Sequence, residues 1–423
     1  MTEPGSLPKE WKVVRLEEVA QPRNEIVHPE QAQHLRYVGL EHIDPGDVKL
    51  KRWGYPAEVR SAKHRFYTGD ILYGKLRPYL DKAILAEWDG ICSTDIIVLS
   101  SKEKIDKLFL ANLLHTQTFV RFATATMTGV NHPRTSWSAL KSFPVPLPPL
   151  PEQRAIAYVL RIVQRAKEAT ERVITATREL KKSLMRHLFT YGPVPLDQAD
   201  QVPLKETEIG PVPEHWEVVR LGEVVTKTRQ MDPRKTPNWW FKYVDVSSIS
   251  KERLCIQGYI EYRGKEAPSR ARKIIRAGDV LFATVRPYLR RIAVVPPELD
   301  GNICSTAFCV IRAKPDLADP MFLFFVVSDD NFVRRVSEHQ RGSSYPAVTD
   351  SDVLNEIIPY PPLTEQHKIA RILQAVDRKI EAEENRKAAL EALFKTLLHH
   401  LMTGKVRVPL ERSKPSVDGT DGS

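Results

Sequence analysis

Residues 148–160 read Pro148-Pro149-Leu150-Pro151-Glu152-Gln153-Arg154-Ala155-Ile156-Ala157-Tyr158-Val159-Leu160. They return as Pro361-Pro362-Leu363-Thr364-Glu365-Gln366-His367-Lys368-Ile369-Ala370-Arg371-Ile372-Leu373. Working outward, other blocks recur in the same order. Pro8-x-x-Trp11 with Val13-Val14-Arg15-Leu16 returns as Pro213-x-x-Trp216 with Val218-Val219-Arg220-Leu221. Gly69-Asp70 and Arg77-Pro78-Tyr79-Leu80 return as Gly278-Asp279 and Arg286-Pro287-Tyr288-Leu289. Ile91-Cys92-Ser93-Thr94 returns as Ile303-Cys304-Ser305-Thr306. The offset grows from 205 to 213, as small loop insertions in the second copy would produce. A period this long is a duplicated domain, since solenoid units repeat every 20–50 residues or so.

Each copy has one plan: a globular part, a Pro-rich stop and a long helix. Short β-branched runs such as Ile96-Ile97-Val98-Leu99 and Phe308-Cys309-Val310-Ile311 read as buried strands. Lys107–Leu114 and Pro320–Val327 read as helices packed on them. The boundaries are a first globular part at 1–150, a first helix at 151–190 and a Pro-rich linker at 191–211. A second globular part at 212–362, a second helix at 363–404 and a tail at 405–423 follow. The first helix holds no Gly, and its only Pro stands at the start, where a missing N–H costs nothing. Glu152 and Glu365 suit the positive end of the helix dipole, and Gly192 and Gly404 serve as stops.

Ile369, Leu373, Val376, Ile380, Leu390, Phe394, Leu397 and Leu401 follow a heptad alternation broken by Glu383 and Lys387. The same register in the first helix gives Ile156, Leu160, Val163, Ile174, Leu184 and Leu188, broken by Lys167, Thr170, Thr177 and Lys181. The pattern predicts a seam with a polar middle between two antiparallel helices. Two separate amphipathic helices lying on their own globular parts are the alternative. A helix of about 39 residues spans roughly 57 Å, which would hold the globular parts apart like a ruler.

The net charge is +10, with 63 Lys and Arg against 53 Asp and Glu. Matched segments concentrate it: nine basic against three acidic residues over 49–82, and nine against two over 263–291. Trp53, Tyr55, Phe66, Tyr67, Tyr73 and Tyr79 are interleaved in the first, Phe282 and Tyr288 in the second. One such run is ordinarily a solvated face, but two in register point to a polyanion, with Lys and Arg neutralising phosphates and Arg able to read guanine. The candidate contacts are Lys63, Arg65, Arg270, Arg272 and Lys273. Loops at Thr128-Gly129-Val130-Asn131-His132-Pro133-Arg134 and Arg341-Gly342-Ser343-Ser344-Tyr345-Pro346 add Arg134 and Arg341, though an ordinary surface turn would look the same. The shared Arg-Pro-Tyr-Leu and Ile-Cys-Ser-Thr blocks read as scaffold, because residues that read different targets should differ between copies.

These blocks, present twice and in one order, resemble the specificity subunit of Type I restriction–modification systems along essentially the whole chain. The resemblance implies an α+β protein: two pseudo-repeated α/β target recognition domains separated by two long antiparallel helices forming a coiled coil. It further implies that each domain binds half of a bipartite, asymmetric DNA target. Two adenine-methyltransferase subunits would dock on the helices and restriction subunits would join. No cofactor is expected on this chain; S-adenosylmethionine, Mg and ATP are expected in the partner subunits.

Catalytic signatures are missing from the sequence. Pro359-Tyr360-Pro361-Pro362 has the wrong order for an adenine-methyltransferase motif, and no Walker loop, Gly-x-Ser-x-Gly or His-Glu-x-x-His occurs. Cys304 and Cys309 lack zinc-ligand spacing. Asp70 and Lys75 could begin a nuclease-like cluster, but Thr284 stands where the second copy would need Lys. No catalytic or metal-binding residue is therefore assigned. A nuclease or methyltransferase acting alone and a coiled-coil adaptor without DNA contact remain the alternatives. Four cysteines and no run of about 18 apolar residues fit a protein of the reducing cytoplasm.

Overall fold

The computed structural model describes residues 7–342 and 344–409. The chain divides into two compact units, the first formed by 1–171 and 385–423, the second by 172–384. The division falls inside the long helices, not at the Pro-rich linker. Each unit therefore holds one globular part and half of each helix. The helices run Leu150–Tyr191 and Leu363–Met402, so the second ends two residues before Gly404. The linker is not featureless: Leu196–Gln201 forms a 3-10 turn, and Leu204–Lys205 pairs with Val212–Pro213. Of the expected tail, 410–423 lies outside the described residues. Among the described residues no helix is long and apolar enough to cross a membrane.

In unit 1 an antiparallel sheet joins Ala20–Arg23, Ile96–Ser101, Ile71–Gly74 and Ala83–Leu85. A second sheet joins Ile26–Val27, Lys63–Phe66, Gly90–Cys92 and Arg36–Val38, the last two parallel. Val38, Phe66, Leu72, Ile84, Cys92 and Val98 fill the space between them. Unit 2 repeats the parallel pair with Trp240–Val244 and Ile303–Ser305, and the antiparallel strand beside it with Ala271–Ile274. The architecture is α+β.

The repeated blocks meet in space, which explains their residue types. At the start of the first helix Glu152 accepts the indole N–H of Trp11 at 3.1 Å, and Arg407 takes the same carboxylate. Gln153 accepts from the Asp106 amide at 2.8 Å and donates to the Lys104 and Pro148 carbonyls. Unit 2 repeats this with Glu365 on Trp216 at 2.9 Å and Gln366 on Asp319, Leu317 and Pro361. The Glu-Gln pair thus pins helix to domain, beyond serving the dipole. Asp70 and Asp279 are equally structural. Each is buried on an arginine, Arg23 at 2.9 Å and Arg312 at 2.7 Å, and this removes Asp70 from any cluster with Lys75. Among the described residues no group of His, Cys, Asp and Glu is arranged to hold a metal ion.

The helix halves pair antiparallel within each unit. In unit 1, Ile156, Leu160 and Val163 share a core with Phe394, Leu401, Leu390 and Leu397. Ion pairs run Glu152–Arg407 near the helix start and Glu171–Lys387 further along. In unit 2, Leu184 and Leu188 share a core with Ile369 and Leu373, and Lys181 meets Asp377 at 2.6 Å. Ile174 is buried; Val376 and Ile380 are half-buried. Near the end of the second helix Leu398 joins Leu397 and Leu401 in this core. One expectation needs correction. Thr170 and Glu383, taken as interruptions, are themselves buried, so the polar middle lies partly inside the packing. Lys167 leaves the seam to reach Asp47 in the globular part.

Candidate nucleic-acid interface

The parallel strands Arg36–Val38 and Gly90–Cys92 point their C-terminal ends at one cluster of loops. Backbone hydrogen bonds tie these loops into a frame. The Lys75 amide donates to the Asp95 carbonyl at 2.9 Å, and the Thr135 amide donates to the Lys75 carbonyl at 3.0 Å. The Arg77 amide donates to the Pro133 carbonyl at 2.9 Å, while Thr128 and Arg134 exchange two bonds of 2.9 and 3.0 Å. Unit 2 builds the same frame: Thr284 on Ala307 at 2.8 Å, Val348 on Thr284 at 2.9 Å and Arg286 on Pro346 at 2.8 Å. Arg341 and Ala347 exchange bonds of 2.9 and 3.0 Å.

Both frames hold strained backbone at the same places. Arg77 and Asp81 flank the Pro78–Leu80 turn with φ of 50° and 53°, as Arg286 and Arg290 flank Pro287–Leu289 with identical values. A non-glycine residue in this left-handed region costs roughly 1–2 kcal/mol, so the surroundings must fix it. In unit 1 the buried His115 grips the Asp81 carboxylate at 2.7 Å and the Ala83 carbonyl at 2.9 Å. In unit 2 Arg290 is held by Asp330 and the Ser328 carbonyl. Strain of this kind concentrates where a loop must be presented in one shape. The Arg-Pro-Tyr-Leu block is thus scaffold in its backbone, yet Tyr79 and Tyr288 are exposed at its tip, as are Val130, at 96%, and Tyr345 on the loops bonded to it.

The side chains on the frames differ. Arg134 donates to Asp95 at 2.8 Å, which raises its already high pKa; Ala347 and Ala307 stand at those places in unit 2. His64 pairs across the sheet with Cys92 as Lys273 does with Cys304. Lys273 is tied to Asp350 and the Phe308 carbonyl. His64 keeps a buried Nδ1 without a partner, and burial, with Lys75 nearby, pushes its pKa down.

The sequence-derived contacts separate accordingly. Lys63, 5% exposed, donates to Ser61, and Lys273, 4% exposed, is consumed by its ion pair, so neither offers its charge to a ligand. Lys273 shares the buried face of its strand with Ala271, a period-2 effect that a charge count over 263–291 cannot see, and Lys63 is buried at the start of its strand. Arg65 lies over Tyr67 with Asp89 4.0 Å away, and Arg272 pairs with Asp232 at 3.4 Å. Arg134, Arg270 and Arg341 remain at the loop cluster. Arg270 is exposed, its carbonyl accepting the Thr306 amide; Arg341 is exposed, with Asp352 at 3.4 Å. Sequence reasoning missed His64 and His115 altogether and saw Lys75 only as a failed catalytic pair. The Lys75/Thr284 exchange was visible in the sequence, and extending the same alignment past Ile91-Cys92-Ser93-Thr94 would have exposed the Asp95/Ala307 exchange.

A family model described as Type I restriction modification DNA specificity domain matches residues 8–177 and again 213–392. A Methanocaldococcus jannaschii chain assigned as the MjaX type I restriction enzyme specificity subunit is 28% identical over 96% of each chain. The EcoDI specificity subunit of Escherichia coli is 34% identical over 44% of each. Among solved structures, the Type I restriction-modification S subunit from M. genitalium aligns with a TM-score of 0.57 at 15% identity, covering 95% of this chain and 98% of that one. A chain from work on complex assembly and conformational transition of the type I R-M system aligns at 0.55 with 21% identity, covering 95% and 100%. At these identities the two structures speak for the fold alone.

Proposed function

This chain belongs to the family of Type I restriction–modification DNA specificity subunits, and from that membership we propose that its two units each read one half of a bipartite, asymmetric DNA target. Specificity subunits are non-catalytic, the catalysis lying in other subunits. The observation that carries the proposal is the repeated frame with exchanged side chains. Backbone bonds that agree to 0.1 Å hold Lys75, Asp95 and Arg134 in one unit and Thr284, Ala307 and Ala347 in the other. A fixed backbone with changed side chains is what two readers of unlike words require, since base edges, not phosphates, carry the sequence.

The helices supply the partner surface. On the unit-1 part of the first helix Tyr158 and Ile162 are exposed one turn apart on one face, and on the unit-2 part Val173 and Leu180 are exposed two turns apart on one face. An apolar stripe left in water on a helix marks a protein contact. It suits two adenine-methyltransferase subunits, with restriction subunits joining them and S-adenosylmethionine, Mg and ATP held by those partners. Ile162→Glu with Val173→Glu abolishes co-purification of the methyltransferase while leaving the melting temperature of the chain unchanged.

Co-expression with the methyltransferase, followed by mapping of methylated adenines across the host chromosome, tests the reading. Two short words separated by an unread gap are expected. One continuous word, or DNA modified by the purified chain alone, overturns it. Deleting one heptad from both helices shortens the gap by about 10 Å, or roughly three base pairs at 3.4 Å each; an unchanged gap removes the helices as the ruler.

A further inference from the structure

Cations around the unit-1 frame are nearly all neutralised or turned inward. Arg134 is held by Asp95, Arg23 by Asp70, Lys63 by Ser61, and Arg65 lies over Tyr67 near Asp89. Lys75 and Arg77 are the exceptions, and of the two only Lys75 is exchanged between the copies, Arg77 returning as Arg286. The Lys75 backbone is clamped on both sides by the frame, its side chain is half-buried, and its amine has no hydrogen-bond or ion-pair partner among the described residues. Asp95, the carboxylate of the neighbouring strand end, is already engaged by two nitrogens of Arg134. Beside Lys75, the imidazole of His64 has a buried, unpaired Nδ1. The site therefore holds an unpaired ammonium beside an unpaired imidazole nitrogen, on a rigid support.

Resting on the DNA-recognition reading above, we infer that Lys75 is the residue by which unit 1 selects guanine at one position of its half-site. A phosphate contact needs only a flexible, solvated charge, and unit 1 has many. Lys75 instead has a short free reach from a strained, fully hydrogen-bonded loop, so little ordering remains to be done on binding. Its ammonium offers three donors and no acceptor. In the major groove guanine presents two adjacent acceptors, O6 and N7, whereas adenine sets an N6 donor beside its N7. Thr284, at the matching place in unit 2, spends its hydroxyl on the Ala307 carbonyl at 3.0 Å, so the second unit cannot make this choice in the same way.

The experiment uses the full chain with its methyltransferase partner, comparing the wild type with Lys75→Thr, Lys75→Met and Lys75→Arg by mapping methylated adenines. In the wild type one word contains an invariant guanine. In the Thr and Met variants that position accepts other bases, with discrimination falling roughly ten- to hundredfold, while the second word is unchanged. Lys75→Arg keeps the guanine. Persistence of the second word shows that each variant still folds and assembles; if Lys75→Thr does not, Lys75→Met carries the test. Two outcomes overturn the inference: both words unchanged in the Thr and Met variants, or the same words methylated more weakly with the salt slope of binding reduced by about one, the mark of a phosphate contact. A wild-type motif that is not bipartite overturns the recognition reading itself, and this inference with it.

Discussion

The frames around Lys75 and Thr284 are alike in backbone and unlike in what their cations do. In unit 2 the strand cation Lys273 is buried and bound to Asp350; in unit 1 the same strand position is His64, and the positive charge has moved to Lys75, without a partner. One unit uses its cation to hold the fold, the other leaves it available. The attachments to the helices differ in the same sense. Unit 1 buries Asp47 under Gln164 at 3.1 Å, Lys51 at 2.9 Å and Lys167, with Lys51 and Lys387 continuing to Glu171 at 3.0 and 3.1 Å. Unit 2 relies on Arg253, more than half exposed, against Glu384 at 2.9 Å. Equal topology does not imply equal energetics.

The largest expected effect breaks the attachment. Asp47→Ala strands Lys167 and Gln164 and destabilises unit 1 by roughly 3–4 kcal/mol, the lower part of the buried-pair range because Lys51 stays partly in water. Arg253→Ala costs unit 2 about 0.2–1 kcal/mol, as an exposed pair does. Denaturant titration of each variant measures both, and equal losses would erase the contrast. Next comes the moved cation. Lys273→Met leaves the Phe308 carbonyl unpaired and costs about 1–3 kcal/mol, Asp350 returning to solvent. Lys75→Met changes stability by no more than about 0.5 kcal/mol; a cost comparable to that of Lys273→Met would mean that Lys75 also holds the fold.

Acid should reveal the unit-1 attachment. Burial alone would raise the Asp47 pKa, but the hydrogen bonds from Lys167 and Lys51 outweigh it and hold it below 3.8. A carboxylate with a depressed native pKa contributes stability that is complete above its unfolded value and fades as pH falls towards the native one. The stability gap between the wild type and Asp47→Asn is therefore full at pH 5 and shrinks below about pH 4; a gap independent of pH would show that the carboxylate charge is not what binds. Smallest of all is Arg341→Ala. Its one side-chain ion pair among the described residues is 3.4 Å long and exposed, so stability moves by under about 0.5 kcal/mol, and the salt slope of DNA binding falls by at most about one. Relaxed base preference at one position of the unit-2 word would instead make Arg341 a base reader.

Much of this protein could be read from its residues because duplication acts as a second measurement. Blocks such as Pro-x-x-Trp and Pro-Pro-Leu-x-Glu-Gln keep their identity because they touch each other: Trp11 needs Glu152, Trp216 needs Glu365. The Ile156, Leu160 and Ile369, Leu373 spacing marks helix seams because burial follows the 3.6-residue period. Failures came where composition stood in for geometry. Lys63 and Lys273 were counted as surface charge, yet both are buried, while Arg65 and Arg272 on the same strands are only half-buried. Leu397 and Leu398 are adjacent apolar residues, and only packing buries the second more deeply than the first.

The amino-acid order alone therefore determined the duplication, the α+β plan, the two long helices and the basic character, since periodicity, helix breakers and charge are local properties. Only the folded chain decided which cations are free. That outcome depends on acids far away in sequence, Asp350 reaching Lys273 and Asp95 taking Arg134, and a charge is available to a ligand only after every partner within a few ångströms has been counted.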